Sequence, residues 1–86
     1  MSKAEELLNI ANQTKCSEDY LKAGNHFVIE DEYDLAAVSF VNAGEIYMIN
    51  NNKYLGANTF VRAANNYTKV KNYKLSQDLL NVAISN

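Results

Sequence analysis

The chain repeats one pattern of large and small residues along most of its length. Every 20 residues a large residue is followed by a small pair three and four positions later and by an aromatic residue seven positions later. The copies begin at Tyr20, Phe40 and Phe60, and a degenerate copy begins at Leu80. These spacings place the repeated residues on one face of an α-helix. Self-similarity at a fixed period is typical of a helical repeat array.

The pattern predicts an all-α protein, a short right-handed solenoid of about five antiparallel helices that forms one domain over residues 1–86. The helices are expected at about residues 3–13, 17–29, 33–49, 53–70 and 73–84. Ser17 is the expected N-cap of the second helix, since a serine hydroxyl accepts well from the first free amide groups. Asparagines at residues 50–52 fit a turn, because asparagine tolerates left-handed backbone angles.

Glycines occupy two of the small positions inside these helices. Gly24 and Gly44 are equivalent in the repeat, and Ala64 holds the same position in the next copy. A glycine in a helix interior costs about 1 kcal/mol relative to alanine, so a packing gain is expected to offset that cost. The pattern favours close helix packing over a hinge. Because alanine serves at Ala64, alanine is also expected to be tolerated at Gly44.

Charge is unevenly distributed along the 86 residues, although the net charge is only −2. Residues 1–45 carry nine acidic and three basic side chains, whereas residues 46–86 carry five basic and one acidic side chain. In a linear array this asymmetry predicts an acidic end and a basic end. The basic end either binds an acidic partner or is an ordinary solvated surface. The candidate partner-binding residues of the basic half are Arg62, Lys69, Lys71 and Lys74. Lys22 is added to them because it lies two repeat units before Arg62 and is expected to project from the same side of the array.

Catalytic and metal-binding patterns are missing from the sequence. The single histidine, His26, and the single cysteine, Cys16, are too few for a typical metal cluster, and one cysteine cannot form an internal disulfide. No glycine-rich phosphate loop is present, and basic residues are too scattered for nucleic-acid binding. No apolar run approaches the roughly 20 residues of a membrane span. The sequence therefore predicts a cytoplasmic protein without enzymatic activity, cofactor, metal, nucleic-acid partner or membrane anchor of its own.

The last predicted helix carries more apolar residues than one helix neighbour can cover. If no further helix follows it, an exposed apolar face predicts self-association, as a homodimer with two-fold symmetry. The alternative is that the last helix folds back with a single apolar face and remains monomeric. The residues assigned to self-association are Leu79, Val82 and Ile84.

Three stretches of the chain resemble successive helices of the soluble NSF attachment proteins, the SNAP family. They match the family's A-A/G-N-x-F, W/Y-x-x-A-A/G and F-x-x-A-G/A patterns, and the resemblance spans about residues 17–85. The stretches are Ala23-Gly24-Asn25-His26-Phe27, Glu32-Tyr33-Asp34-Leu35-Ala36-Ala37 and Phe40-Val41-Asn42-Ala43-Gly44-Glu45-Ile46-Tyr47. The resemblance implies a twisted sheet of antiparallel helices and an adaptor role. Adaptors of this family lie along the SNARE four-helix bundle and recruit the hexameric ATPase NSF, which disassembles the bundle.

The chain departs from the family in two respects. On this resemblance it is expected to correspond only to the family's N-terminal helices, without the C-terminal bundle that engages the ATPase. The family's hydrophobic membrane loop falls between the first two helices, where residues 13–17 are largely polar. The resemblance therefore implies a truncated homologue or mimic that binds SNARE bundles and reaches membranes through its partners. The alternative is a self-assembling helical-repeat protein with no SNARE role.

Overall fold

Five α-helices follow one another in the computed structural model, which describes residues 2–85. Their bounds are α1 Lys3–Thr14, α2 Ser17–Ile29, α3 Tyr33–Ile49, α4 Lys53–Lys69 and α5 Tyr73–Ser85. Each predicted helix end lies within one residue of the observed one. No strand is found among the described residues, which confirms the all-α prediction.

The last three connections between helices share one backbone geometry. The middle residue of each is left-handed, with φ of 61° at Asp31, 64° at Asn51 and 63° at Lys71. In each, the next residue donates its amide N–H to the carbonyl five residues earlier, as in the bond of 2.8 Å from Asn52 to Tyr47. This pattern is the Schellman motif, which satisfies the last carbonyl groups of a helix. It explains why the connections recur with the same 20-residue period as the helices.

The helix starts differ from one another. A capping box joins Ser2 and Glu5 at α1. The prediction for α2 is wrong by one residue, because its N-cap is Cys16 and Ser17 is the first helical residue. Ser17 is buried, and its hydroxyl donates to the Glu18 carboxylate at 2.9 Å. No side chain among the described residues caps the first turn of α2. Asn52 does act as a cap, since its side-chain oxygen accepts from an amide of α4.

The helices stack in sequence order, each packing mainly against the next. The Cα atoms extend over 37 × 30 × 14 Å, a slab with two broad faces. Alanines and aromatic rings fill the space between helices. Four of the six repeat aromatics are buried, namely Tyr20, Phe27, Phe40 and Phe60, whereas Tyr47 and Tyr67 are half-buried.

Glycines at the small positions lie directly against rings of the next helix. A Cβ atom added at Gly24 would stand 2.6 Å from the Phe40 ring, and one at Gly44 would stand 2.8 Å from the Phe60 ring. The prediction of close helix packing is confirmed. An alanine at Gly44 would require the Phe60 ring to shift. Ala64 belongs to a copy whose next large residue is Leu80 rather than phenylalanine, so it is not a direct guide to Gly44.

Candidate partner-binding surfaces

Arg62 joins three helices on one broad face of the slab. Its guanidinium carbon lies 4.4 Å from the centroid of the Phe40 ring in α3. Its Nη2 donates a hydrogen bond to Oδ1 of Asn25 in α2. Helices α2 and α4 are thus neighbours on this face, with Phe40 beneath them. We call the exposed side of α2 and α4 that carries Lys22, Arg62 and Lys69 the Arg62 face.

Lys69 repeats this arrangement two helical turns further along α4. Its ammonium nitrogen lies 4.7 Å from the centroid of the Tyr33 ring in α3. Arg62 and Lys69 are seven residues apart, as are the two rings beneath them, Tyr33 and Phe40. Seven residues correspond to roughly 10 Å of helix. Two cations are therefore held over aromatic rings at the spacing of a heptad.

The Tyr33 ring also contacts an acidic residue of the preceding turn. Its hydroxyl donates to the Asp31 carboxylate at 2.9 Å. That hydrogen bond, with the negative charge of Asp31, raises the pKa of the Tyr33 phenol above its ordinary value. The contacts run from Lys69 through Tyr33 to Asp31. The phenol of Tyr33 stays neutral, and its ring remains available to the ammonium group of Lys69.

The other predicted basic residues have different surroundings. Lys22 lies one turn before Asn25 on the same side of α2, near the place where Arg62 contacts Asn25. Lys71 is the left-handed residue of the turn after α4. Lys74 pairs with Asp78 at 3.6 Å, and both side chains are largely exposed, so this pair contributes little to stability. The structure thus brings Arg62, Lys69 and Lys22 to one face and leaves Lys71 and Lys74 beyond the end of α4.

Stacking in sequence order turns the charge asymmetry into a spatial one. The first 45 residues, with a net charge of −6, form one end of the slab, and the remainder, with +4, forms the other. A field of this shape orients an approaching charged partner.

A groove opens between α3 and α5, with α4 as its floor. It has a volume of about 390 Å³ and is lined by Glu45, Met48, Ile49, Lys53, Phe60 and Val82. We call it the α3–α5 groove. Sequence reasoning missed it, since the repeat pattern describes only what the copies share. Comparing equivalent positions for residues that differ between copies would have found the groove.

The three residues assigned to self-association do not form one exposed patch. Leu79 is partly buried and packs against the main core cluster. Val82 is 41% exposed and lines the α3–α5 groove, whereas Ile84 is 82% exposed. Ile84 holds the repeat position of Gly24 and Gly44, which face the following helix, so it points away from α4.

Within the described residues there is no cluster of three or more histidine, cysteine, aspartate or glutamate side chains that could hold a metal ion. None of the described helices is both long enough and apolar enough to span a membrane.

Comparison with known proteins identifies one family. The family model described as "Soluble NSF attachment protein, SNAP" matches residues 7–86, nearly the whole chain. No curated protein and no solved structure shows significant similarity.

Proposed function

The chain belongs to the soluble NSF attachment protein family, and from that premise we propose that it is a protein–protein interaction module that binds α-helical bundles of the SNARE type. The module acts without catalysis and reaches membranes through its partners. The binding surface is the Arg62 face, extended by Lys71 and Lys74 at the basic end of the slab.

One observation carries this proposal. Arg62 and Lys69 are held over aromatic rings two helical turns apart, on an exposed face. Acidic residues seven positions apart on a partner helix have the same spacing of roughly 10 Å. A helical bundle repeats its exposed positions with a seven-residue period. The two cations therefore match a bundle with acidic residues at equivalent positions of successive heptads.

The rings also lower the entropic cost of binding. A free arginine or lysine side chain loses about 2 kcal/mol of rotamer entropy when it becomes fixed. Arg62 is already positioned by Phe40 and Asn25, so less of that entropy is lost when a carboxylate arrives. The exposed setting makes the attraction sensitive to salt, because screening acts within about 10 Å at 0.1 M ionic strength.

The test is binding of an assembled SNARE four-helix bundle by isothermal titration calorimetry at two salt concentrations. The double variant Arg62→Glu/Lys69→Glu should weaken binding by about tenfold to a hundredfold, since it replaces two attractive contacts with repulsive ones. Raising the salt concentration should weaken binding by the unmodified chain and have less effect on the variant.

Lys53→Glu is the matched control, because Lys53 is exposed on α4 but lines the α3–α5 groove. It should leave affinity within about twofold of the unmodified chain, once the change in net charge is screened by salt. Circular dichroism must show that each variant remains helical. Binding that survives the double reversal and is insensitive to salt would exclude the Arg62 face as the binding surface.

A second candidate function is self-assembly through α5. The observation that favours it is Ile84, an apolar side chain that is 82% exposed on the side of the helix away from α4. In this case the chain would be a structural helical-repeat protein without a SNARE partner. Sedimentation equilibrium separates the two proposals, because self-assembly depends on concentration in the absence of any partner.

A further inference from the structure

The contact made by Arg62 has a counterpart one repeat later in which the arginine is missing. Arg62 stacks on Phe40 and donates to Asn25. Each residue has an equivalent 20 positions further along the chain: Asn25 corresponds to Glu45, Phe40 to Phe60 and Arg62 to Val82. All three equivalents line the α3–α5 groove. The groove is therefore the same structural position as the one that Arg62 fills, displaced by one helix.

The two positions differ in ways that suit an arginine from outside. Val82 has a short branched side chain where Arg62 has a long one, and the groove that Val82 and Phe60 line has a volume of about 390 Å³. Phe60 is a buried residue like Phe40, but its exposure is 5% where that of Phe40 beneath the guanidinium is 1%, so a small part of it is open to the groove. Glu45 is exposed and holds the position equivalent to Asn25, whose amide oxygen accepts from Arg62. A carboxylate is a stronger acceptor for a guanidinium group than an amide is, because the hydrogen bond is charge-assisted.

We propose that the α3–α5 groove binds an arginine side chain of a partner protein, with the guanidinium group stacked on Phe60 and paired with Glu45. Met48 and Ile49 line the same groove and contact the aliphatic part of the arginine and the apolar residues beside it. The internal Arg62 contact is the template for this geometry.

Lys53 is compatible with this arrangement, although it also lines the groove. Lys53 and Phe60 are seven residues apart on α4, or roughly 10 Å along the helix axis. Glu45 directly follows Gly44, whose Cα faces the Phe60 ring. The acidic group is thus at the level of the ring, while the lysine lies toward the start of α4. The groove offers a carboxylate next to the stacking surface and a cation further along, which fixes the direction of an arginine-bearing segment.

This inference goes beyond the proposed function. It concerns a basic rather than an acidic residue of the partner, and it places the contact in the α3–α5 groove rather than on the Arg62 face. A chain could bind acidic helices through Arg62 and Lys69 and fail to bind arginine, or the reverse. The two ideas therefore fail independently.

The first test uses two blocked peptides, Leu-Arg-Leu and the same peptide with citrulline in place of arginine. Citrulline has nearly the same shape as arginine but carries no charge. NMR titration of the chain with the arginine peptide should shift the resonances of Glu45 and Phe60, and the ring current of Phe60 should move the arginine δ-protons upfield. The citrulline peptide should bind at least about tenfold more weakly, given the strength of cation–π and charge-assisted contacts.

Substitutions in the groove give the second test. Glu45→Gln should weaken binding of the arginine peptide by roughly tenfold, since it removes the charge but preserves the shape. Val82→Arg should abolish binding, because the new side chain reproduces the Arg62 contact and occupies the groove itself. Val82→Leu is the matched control, since it adds bulk without charge and should retain measurable binding. The thermal midpoint of Val82→Arg should equal or exceed that of the unmodified chain, which shows that the block does not come from unfolding.

Three results would overturn the proposal. Equal affinity for the arginine and citrulline peptides would show that the groove is merely apolar. Arginine-peptide shifts that persist in Val82→Arg would place the binding elsewhere. Shifts of Glu45 and Phe60 that appear on concentrating the chain without peptide would show that a second copy occupies the groove.

Discussion

Gly44 lies against the ring of Phe60, so that a Cβ atom added at Gly44 would stand 2.8 Å from the ring carbons Cδ1 and Cε1. We therefore expect Gly44→Ala to destabilise the fold and Gly44→Leu to destabilise it more, since overpacking costs about 1–3 kcal/mol. Urea unfolding should measure the loss. Adding Phe60→Leu to Gly44→Ala imitates the Ala64–Leu80 pair of the next copy and should recover part of the loss.

Gly56→Ala is the matched control for this prediction. An added Cβ atom there would meet Met48 side-chain atoms at 3.0 Å, and a methionine side chain can move aside. Because alanine favours a helix interior by about 1 kcal/mol over glycine, Gly56→Ala should be neutral or stabilising. Equal losses at Gly44 and Gly56 would show that the ring contact is not what excludes a side chain from Gly44.

The sequence predicted the helices and their ends because one periodic signal determines both. Residues of each copy fall on one helical face, and the left-handed turn residue recurs at the same interval, as at Asp31 and Asn51. The identity of the opposing residue could not be predicted in the same way. Gly44 faces a ring 16 positions later, and that offset depends on how far one helix slides along the next. A period within the chain does not specify that register.

The candidate surfaces were only partly predictable for a related reason. Charge counting identified Arg62 and Lys69, but it could not show that each lies over an aromatic ring of α3. The α3–α5 groove arises where Val82 replaces an arginine, which is a difference between copies. Such a difference gains meaning only when the structure shows what the arginine does in the other copy.

Asn66 is a buried polar residue whose replacement should stabilise the fold. Its Nδ2 donates to the Arg62 carbonyl at 2.8 Å, whereas its buried Oδ1 has no hydrogen-bond partner among the described residues. An unsatisfied buried polar group costs about 1–3 kcal/mol, so Asn66→Leu should raise the free energy of unfolding by about 1 kcal/mol. Ile46 holds the equivalent position in the preceding copy. Asn66→Asp is the contrasting variant and should destabilise, because it buries a charge in the same shape. Destabilisation by leucine instead would show that the amide is satisfied in solution.

Lys71 adopts a left-handed conformation that costs roughly 1–2 kcal/mol for most residues with a side chain. Lys71→Gly removes that strain but increases the entropy of the unfolded chain by up to about 1 kcal/mol. We expect a net gain of up to about 1 kcal/mol, measured by thermal unfolding. Asn51→Gly is the control at the equivalent turn and should gain less, since asparagine tolerates this conformation better than lysine. A larger gain at Asn51 than at Lys71 would contradict the strain argument.

Glu18 should titrate below its ordinary range in the folded chain. The Cys16 thiol donates to its carboxylate at 3.0 Å and the Ser17 hydroxyl donates at 2.9 Å. These two hydrogen bonds, of which the one from Cys16 has the larger effect, hold the pKa of Glu18 below the ordinary value of 4.5. Because the pKa of Glu18 is lower in the folded chain than in the unfolded chain, its ionised carboxylate stabilises the fold at pH values above the unfolded-state pKa. That stabilisation is lost as the pH falls through the folded-state pKa. NMR titration should show the Glu18 pKa rising in Cys16→Ala and remaining low in Cys16→Ser, which keeps a donor. An unchanged pKa in Cys16→Ala would exclude the thiol as its cause.

Ile84 provides the sharpest test of self-association through α5. It occupies the position at which Gly24 and Gly44 contact the next helix, and it is 82% exposed. Because burying an isoleucine side chain fully is worth about 1.5–3 kcal/mol, contact between two such faces favours a two-fold dimer. Sedimentation equilibrium should show concentration-dependent association of the unmodified chain and a helical monomer for Ile84→Lys. Ile29→Lys is the matched control, since Ile29 is 73% exposed on α2 and should leave association unchanged. A chain that is monomeric at high micromolar concentration would exclude the dimer. Equal loss of association in both variants would attribute it to added positive charge rather than to the α5 face.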